Sequence, residues 1–207
     1  MRVLNFGSLN LDYVYDVDHI NQAGETQLSD HLQIFPGGKG LNQSIALSKS
    51  GVSVFHAGAV GKSDSAVLLE ALKSVGVNTE HVMRLDCQSG HAIIQRDKQG
   101  QNSILLFGGA NQRISTSQVQ RIMAEFGPGD FLVLQNEISH MTEIMEQAHN
   151  QGMTIVLNPS PMTDSLLDYP LEYVDYLILN EIEAIQLSGV NTTHEEQAEA
   201  ISRMLPH

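Results

Sequence analysis

Four short runs of the chain, 3–6, 131–134, 154–157 and 175–179, are apolar at most positions. Runs of that length without alternation fit strands buried on both faces at the centre of a parallel sheet. Between them the apolar period changes to that of a helix. Val119, Ile122, Met123 and Phe126 follow i, i+3, i+4, i+7 spacing, as do Met141, Ile144, Met145 and Ala148. Gly127 and Gly152 stand where these two helices should stop. Thr193 with Glu196 makes a capping box that opens a last helix through Ile201 and Leu205. Such alternation predicts a layered α/β/α fold with a mostly parallel sheet and right-handed crossovers.

Two stretches follow a period of two instead. Residues 13–18 and 26–35 alternate, with Leu28, Leu32 and Ile34 on one face. Residues 91–96 and 102–107 flank the turn Asp97-Lys98-Gln99-Gly100, a hairpin signal. A small second sheet follows from this, and two uses fit it equally: a lid over a ligand cleft, or an edge hairpin without function. After the last helix a doubly wound sheet would normally continue with another strand, so 175–179 is expected to form an uncovered apolar edge. The expectation is one incomplete α/β domain over 1–207, its C-terminal part missing, with lid strands around 13–35 and 91–107.

Composition narrows the function classes. Hydrophobic residues make up 42% of the 207 positions, enough for a sizeable core. The 11 Lys and Arg against 24 Asp and Glu give a net charge of −13, which repels nucleic acid. That balance leaves phosphorylated small ligands open, because helix N-termini and Mg²⁺ hold phosphates without many lysines. No stretch approaches the roughly 18–20 apolar residues of a membrane span. The N-terminus lacks a signal-peptide layout and Cys87 is the only cysteine, which points to the cytoplasm. The nine histidines include no His-x-x-x-His pair and read as surface or core residues rather than as a metal site.

The segment with most chemical content is Phe35-Pro36-Gly37-Gly38-Lys39-Gly40-Leu41-Asn42-Gln43, which leads into a helical pattern over 44–50. Glycines let the backbone approach a ligand, and the helix start offers free N–H groups. Lys39 adds a cation and Asn42 both a donor and an acceptor, a set that suits a polyhydroxylated ligand or an anion. On spacing alone, a glycine-rich turn with a surface lysine is an equal reading. Neither a Walker A loop nor a Gly-x-Gly-x-x-Gly fingerprint is present, which ranks a dinucleotide oxidoreductase last. Asn10 and Asp12 follow the first apolar run, Glu137 follows 131–134, Asn158-Pro159-Ser160-Pro161 follows 154–157, and Asn180-Glu181-Ile182-Glu183 follows 175–179. Ligands of open α/β sheets bind beyond the carboxyl ends of strands, where all of these fall. Taken singly, each also reads as an ordinary strand exit or helix-dipole partner.

In order along the chain these residues resemble the ribokinase (PfkB) family of carbohydrate kinases. Gly37-Gly38-Lys39-Gly40-x-Asn42-Gln43 carries the resemblance most specifically, with Gly24-Glu25-Thr26 and Gly109-Ala110-Asn111 beside it. The resemblance implies an ATP-dependent kinase acting on D-ribose at its 5-hydroxyl. Asn10, Asp12 and Glu137 would then bind sugar hydroxyls, and Gly37, Gly38, Lys39 and Asn42 would wall the sugar site. Ala92 and Leu106 would be lid residues over the sugar's apolar face. Asn180 and Glu183 would lie near the nucleotide, with Glu183 reaching Mg²⁺ through water. A homodimer through the lid is implied as well. The family's catalytic Asp, in a Gly-Ala-Gly-Asp-like motif, would lie beyond His207, as would most of the K⁺ site. Gly127-Pro128-Gly129-Asp130 is no substitute, since a buried strand follows it rather than a helix. The alternative expectation is therefore a non-catalytic, sugar-binding remnant.

Overall fold

A computed structural model of the chain describes residues 1–203 and 205. Its strands, in chain order, are β1 (Val3–Phe6), β2 (Asn10–Asp16), β3 (His31–Gly37), β4 (Val54–Gly61), β5 (Val82–Leu85), β6 (Gly90–Arg96), β7 (Asn102–Phe107), β8 (Phe131–Gln135), β9 (Thr154–Asn158) and β10 (Tyr176–Leu177). The helices are α1 (Lys39–Lys49), α2 (Ala66–Ser74), α3 (Thr116–Met123), α4 (Met141–Asn150), α5 (Glu181–Ser188) and α6 (His194–Ser202). Six strands form one sheet in the order β10-β9-β8-β1-β4-β5, with every neighbouring pair parallel. Alternate residues of each strand face opposite sides. Leu4, Phe6, Leu132, Leu134, Ile155 and Leu157 bury against Ile122, Ile144 and Met145 of α3 and α4, in a core that also takes in Leu187 of α5 and Ile201 of α6. Val3, Val54 and Val60 face the other way and meet Leu41 of α1 with Leu68 and Leu72 of α2. The result is the layered α/β/α arrangement expected from the alternation of elements.

The chain runs outward from β1 to β4 and β5, then returns to β8 on the other side of β1. The strand order therefore reverses between β1 and β8, the position at which open α/β sheets bind ligands. The second sheet, in the order β3-β2-β6-β7, is mixed: β2 and β6 run parallel, and the outer pairs antiparallel. Residues 7–9 are the only link between β1 and β2, so the small sheet stands directly beside the carboxyl end of the large one.

Several expectations need correction. The strand expected over 26–35 starts only at His31, and Leu28 lies in the preceding loop, 93% exposed. Leu32 and Ile34 do share a face. Strands β4 and β5, absent from the reading of the sequence, extend the large sheet beyond β1. β8 and β9 are not buried on both faces: Phe131, Val133 and Val156 are half-buried beside exposed Ile178, along a shallow apolar groove of about 420 Å³. Regular pairing at 175–179 shrinks to two residues, with Tyr176 and Ile178 exposed at the sheet edge. Gly152 takes the left-handed conformation of a helix stop, whereas Gly127 does not, since α3 already ends at Met123. The capping box of Thr193 and Glu196 forms, and α6 ends at Ser202. Met204, Pro206 and His207 of the expected last helix and tail fall outside the described residues.

Candidate functional site

Backbone contact between the β1–β2 link and the start of α1 builds the centre of the site. The amide of Leu41 donates to the Ser8 carbonyl at 3.0 Å, and the amide of Gly40 donates to Ser8 Oγ at 3.2 Å. A Cβ on Gly40 would lie 2.4 Å from Ser8 N and 2.7 Å from Gly7 Cα, so only glycine allows this approach. Gly38 has φ of +97° and sits against Ser8 and Asn10 backbone. The loop therefore serves as a wall pressed onto the link, which decides against an isolated surface turn.

Glu137, just beyond β8, reaches the same place. Its Oε2 accepts from the Ser8 hydroxyl and, at 3.3 Å, from the Lys39 amide at the N-terminus of α1. The partial positive charge of a helix start favours a carboxylate there. Among the described residues Lys39 forms no ion pair, which leaves its ammonium available to a ligand.

Asn10 is buried, and its Oδ1 accepts from Asn111 Nδ2 at 2.8 Å. Asn111 also bonds the Leu9 backbone, its Oδ1 accepting from the amide at 3.1 Å. The Asn10 carboxamide is thus held with its NH₂ group left for a ligand. Asp12 is half-buried, and its carboxyl is held above the ordinary aspartate value, first by burial and then by the negative charge of Glu137. The glycine at 37 makes room for it, since a Cβ there would fall 2.1 Å from Asp12 Oδ2.

Sheet register places the lid residues. Phe35, Asp12, Ala92 and Leu106 are successive partners across β3, β2, β6 and β7, and so lie in one row on one face. Leu106 lines a cavity of about 200 Å³ together with Asn10, Gly108, Gln112, Asn136 and Glu137. Polar groups at the sheet end and Leu106 of the lid thus face one space, an arrangement matched to a small polyol with one apolar face. Asn42 lies one turn into α1 and is exposed. A larger cavity, about 410 Å³ and lined by Met162, Leu166 and Leu187 among others, contains none of these groups.

Asn180 and Glu183 do not join this cavity. They cap α5 reciprocally: Asn180 Oδ1 accepts from the Glu183 amide at 2.9 Å, and Glu183 Oε2 accepts from the Asn180 amide at 3.1 Å. Asn180 lines a separate open cavity of about 460 Å³ with Leu179, Glu181, Ala184 and His194. Both residues lie beyond β10, at the same sheet end but on the far side of β8 and β9. Among the described residues, no group of three or more His, Cys, Asp or Glu could hold a metal ion. One carboxylate with an oxygen already committed suits contact with a metal-bound water, not direct ligation.

A family model described as pfkB family carbohydrate kinase matches residues 2–207. The chain belongs to the pfkB family of carbohydrate kinases. The ribokinase of Haemophilus influenzae is 34% identical over 197 residues, 93% of this chain and 64% of that protein. The chain thus spans less than two thirds of that relative's length. A ribokinase structure from Cryptococcus neoformans var. grubii in complex with ADP superposes with a TM-score of 0.79 at 34% identity, covering 97% of this chain and 66% of that one. A ribokinase of Arabidopsis thaliana complexed with ribose and ATP superposes with a TM-score of 0.82 at 27% identity, over 98% and 68% of the two chains.

Asp130 of Gly127-Pro128-Gly129-Asp130 directly precedes β8 and so sits at the opposite end of the sheet. Its carboxylate pairs with the Arg2 guanidinium at 2.5 Å and accepts from the Arg2 amide at 3.0 Å. Arg2 holds the Asp130 carboxyl below the usual range. A depressed carboxylate stabilises the fold above its unfolded pKa, and the contribution is lost as pH falls through the folded value. Asp130→Asn is therefore expected to cost about 1–3 kcal/mol at neutral pH. In urea melts the gap from wild type should close as pH drops below about 3.9.

The sequence presents Asn111 only as part of the Gly109-Ala110-Asn111 motif, and it assigns no role to Ser8 or Asn136. Asn136 fixes the loop after β9, its Nδ2 donating to the Pro161 carbonyl at 2.7 Å and to Thr163 Oγ1 at 2.8 Å. A lone amide in a loop gives no signal until the fold supplies its partners.

Proposed function

We propose that these residues form the sugar-binding part of an ATP-dependent, ribokinase-like kinase that phosphorylates D-ribose at its 5-hydroxyl. The observation that carries this reading is that Leu106 of the lid lines one cavity with Asn10 and Glu137 at the strand-order reversal, with Asp12 and Ala92 in Leu106's row. Asp12 accepts from vicinal hydroxyls, Asn10 Nδ2 donates to one, and the free oxygen of Glu137 accepts from another. Gly37 and Gly38 admit the sugar close to the backbone, and the Lys39 ammonium supplies a cation beside it. Ala92 and Leu106 exclude water above the ring.

The nucleotide lies toward α5. Mg²⁺ brought with ATP would neutralise phosphate charge, and Glu183 would hold it through water; K⁺ would activate the same reaction. Sugar binding is the part of this reaction proposed for these residues. The alternative is a sugar-binding protein without transfer, because the groups gathered in this cleft are suited to holding hydroxyls. ADP release with ATP, Mg²⁺, K⁺ and D-ribose separates the two: ribose-dependent turnover supports transfer by these residues, and binding without turnover supports the alternative.

The second face of the lid supports a homodimer. Ile34, Tyr13, Ile93 and Leu105 form the row adjacent to Asp12's, pointing the other way, with Ile34 50%, Ile93 39% and Leu105 68% exposed. Apolar side chains so placed favour a second copy over solvent. Leu105→Glu is expected to shift sedimentation from dimer to monomer with the fold retained. Among the described residues, no helix is long and apolar enough to cross a membrane. We place the protein in the cytoplasm, where its one thiol stays reduced.

A further inference from the structure

Behind the glycine wall lies a polar network that the sugar contacts do not use. Asn5, Ser44, His56 and Gln135 are each 0% exposed, on the α1 side of the large sheet. Asn5 of β1 and His56 of β4 are direct neighbours in register. Gln135 Nε2 donates to Asn5 Oδ1 at 2.9 Å, and Asn5 Nδ2 donates to Ser44 Oγ and to the Gly40 carbonyl, both at 2.8 Å. The Ser44 hydroxyl then has its proton free for His56 Nδ1, 2.7 Å away. Gln135 also donates to Gln43 Oε1 at 2.6 Å. Donation runs one way along the chain and leaves His56 as the Nε2–H tautomer. That nitrogen turns toward the Gly7 carbonyl without a hydrogen bond of normal geometry.

Buried polar groups in a sheet core cost more than apolar ones of the same shape unless every partner is in place. Here their partners are the parts of α1 that form the site. The Gly40 peptide is gripped from both sides, its carbonyl by Asn5 and its amide by Ser8, whose hydroxyl proton goes to Glu137. Any movement of Ser44 and Gly40 therefore carries the Lys39 amide away from Glu137. We propose that Asn5, Ser44 and His56 are positioning residues that set the depth of the glycine wall against the sugar site. Burial lowers the His56 pKa to about 4, so the ring stays neutral at physiological pH and Nδ1 keeps the lone pair that Ser44 needs.

The inference rests on the sugar reading for its affinity readout, and amide exchange tests it separately. His56→Phe keeps an aromatic ring, somewhat larger than imidazole, and removes the acceptor, while His56→Asn returns an acceptor near Nδ1. In the full chain, His56→Phe should speed exchange of the Leu41 and Asn42 amides and weaken D-ribose binding, each by about tenfold, the effect of one lost hydrogen bond. His56→Asn should bring both within about threefold of wild type. If His56→Phe does not fold, Ser44→Ala supports the same two measurements. Unchanged exchange at Leu41 and Asn42, or faster exchange with unaltered ribose affinity, overturns the proposal. Should wild type itself not bind ribose, the sugar reading fails, and exchange alone decides whether the network holds the wall.

Discussion

Gly40→Ala is expected to leave little folded protein, at a cost of about 4 kcal/mol or more. Glycine within a helix normally costs about 1 kcal/mol relative to alanine, so its presence in the first turn of α1 needs a reason. The reason is that the added methyl would fall 2.4 Å from Ser8 N and 2.6 Å from Gly7 C. Backbone lies on both sides and neither can yield without separating α1 from β1. Gly51→Ala gives the comparison. Gly51 has φ of +91° but nothing within 4 Å of a new Cβ, so the change brings only conformational strain, about 1 kcal/mol. Chemical denaturation of the two variants beside wild type checks the contrast.

The second large effect concerns binding with the fold preserved. Asp12→Asn should weaken D-ribose binding by about 100-fold, the loss of two charge-assisted hydrogen bonds. Without ligand, the same variant should melt slightly higher than wild type. Burial and Glu137 raise the Asp12 carboxyl in the folded state. Folding therefore binds the Asp12 proton more tightly, and stability falls as pH rises from the unfolded pKa through the raised folded one. At neutral pH the charged carboxylate opposes folding, and the amide removes that cost. Ribose affinity of wild type should accordingly decline on acidification through the raised value. Gly37→Ala reaches the same end by another route, because its methyl would displace the Asp12 carboxylate from 2.1 Å away. A melting curve with a ribose titration separates these outcomes from simple unfolding.

Much of the layering was legible because burial writes itself as period. The runs at 3–6, 131–134 and 154–157 became β1, β8 and β9, and the hairpin around Asp97–Gly100 formed as the turn signal required. β4 escaped notice because His56, Gly58 and Gly61 interrupt its apolar run. Gly58 is there for close packing, its Cβ position lying 2.5 Å from the Gly7 carbonyl, and His56 for Ser44. Period also misled: the alternation that assigned Leu28 to a strand belongs to an exposed loop. At the site, residues facing the ligand stood in local motifs, while the partners that fix them were not legible as partners. Asn111 secures Asn10 across 101 positions, and Gln135 secures Asn5 across 130. Such pairs exist only after topology has brought β8 and the residues after β7 back beside β1.

The most direct measurement is calorimetric titration of the 207-residue chain with D-ribose, with Asp12→Asn titrated in parallel. The account predicts one saturable ribose site per chain in wild type and its loss in the variant, both proteins remaining folded by circular dichroism. Folded wild-type protein that takes up no ribose, or a variant that binds it equally well, would contradict the assignment of this cleft to a sugar.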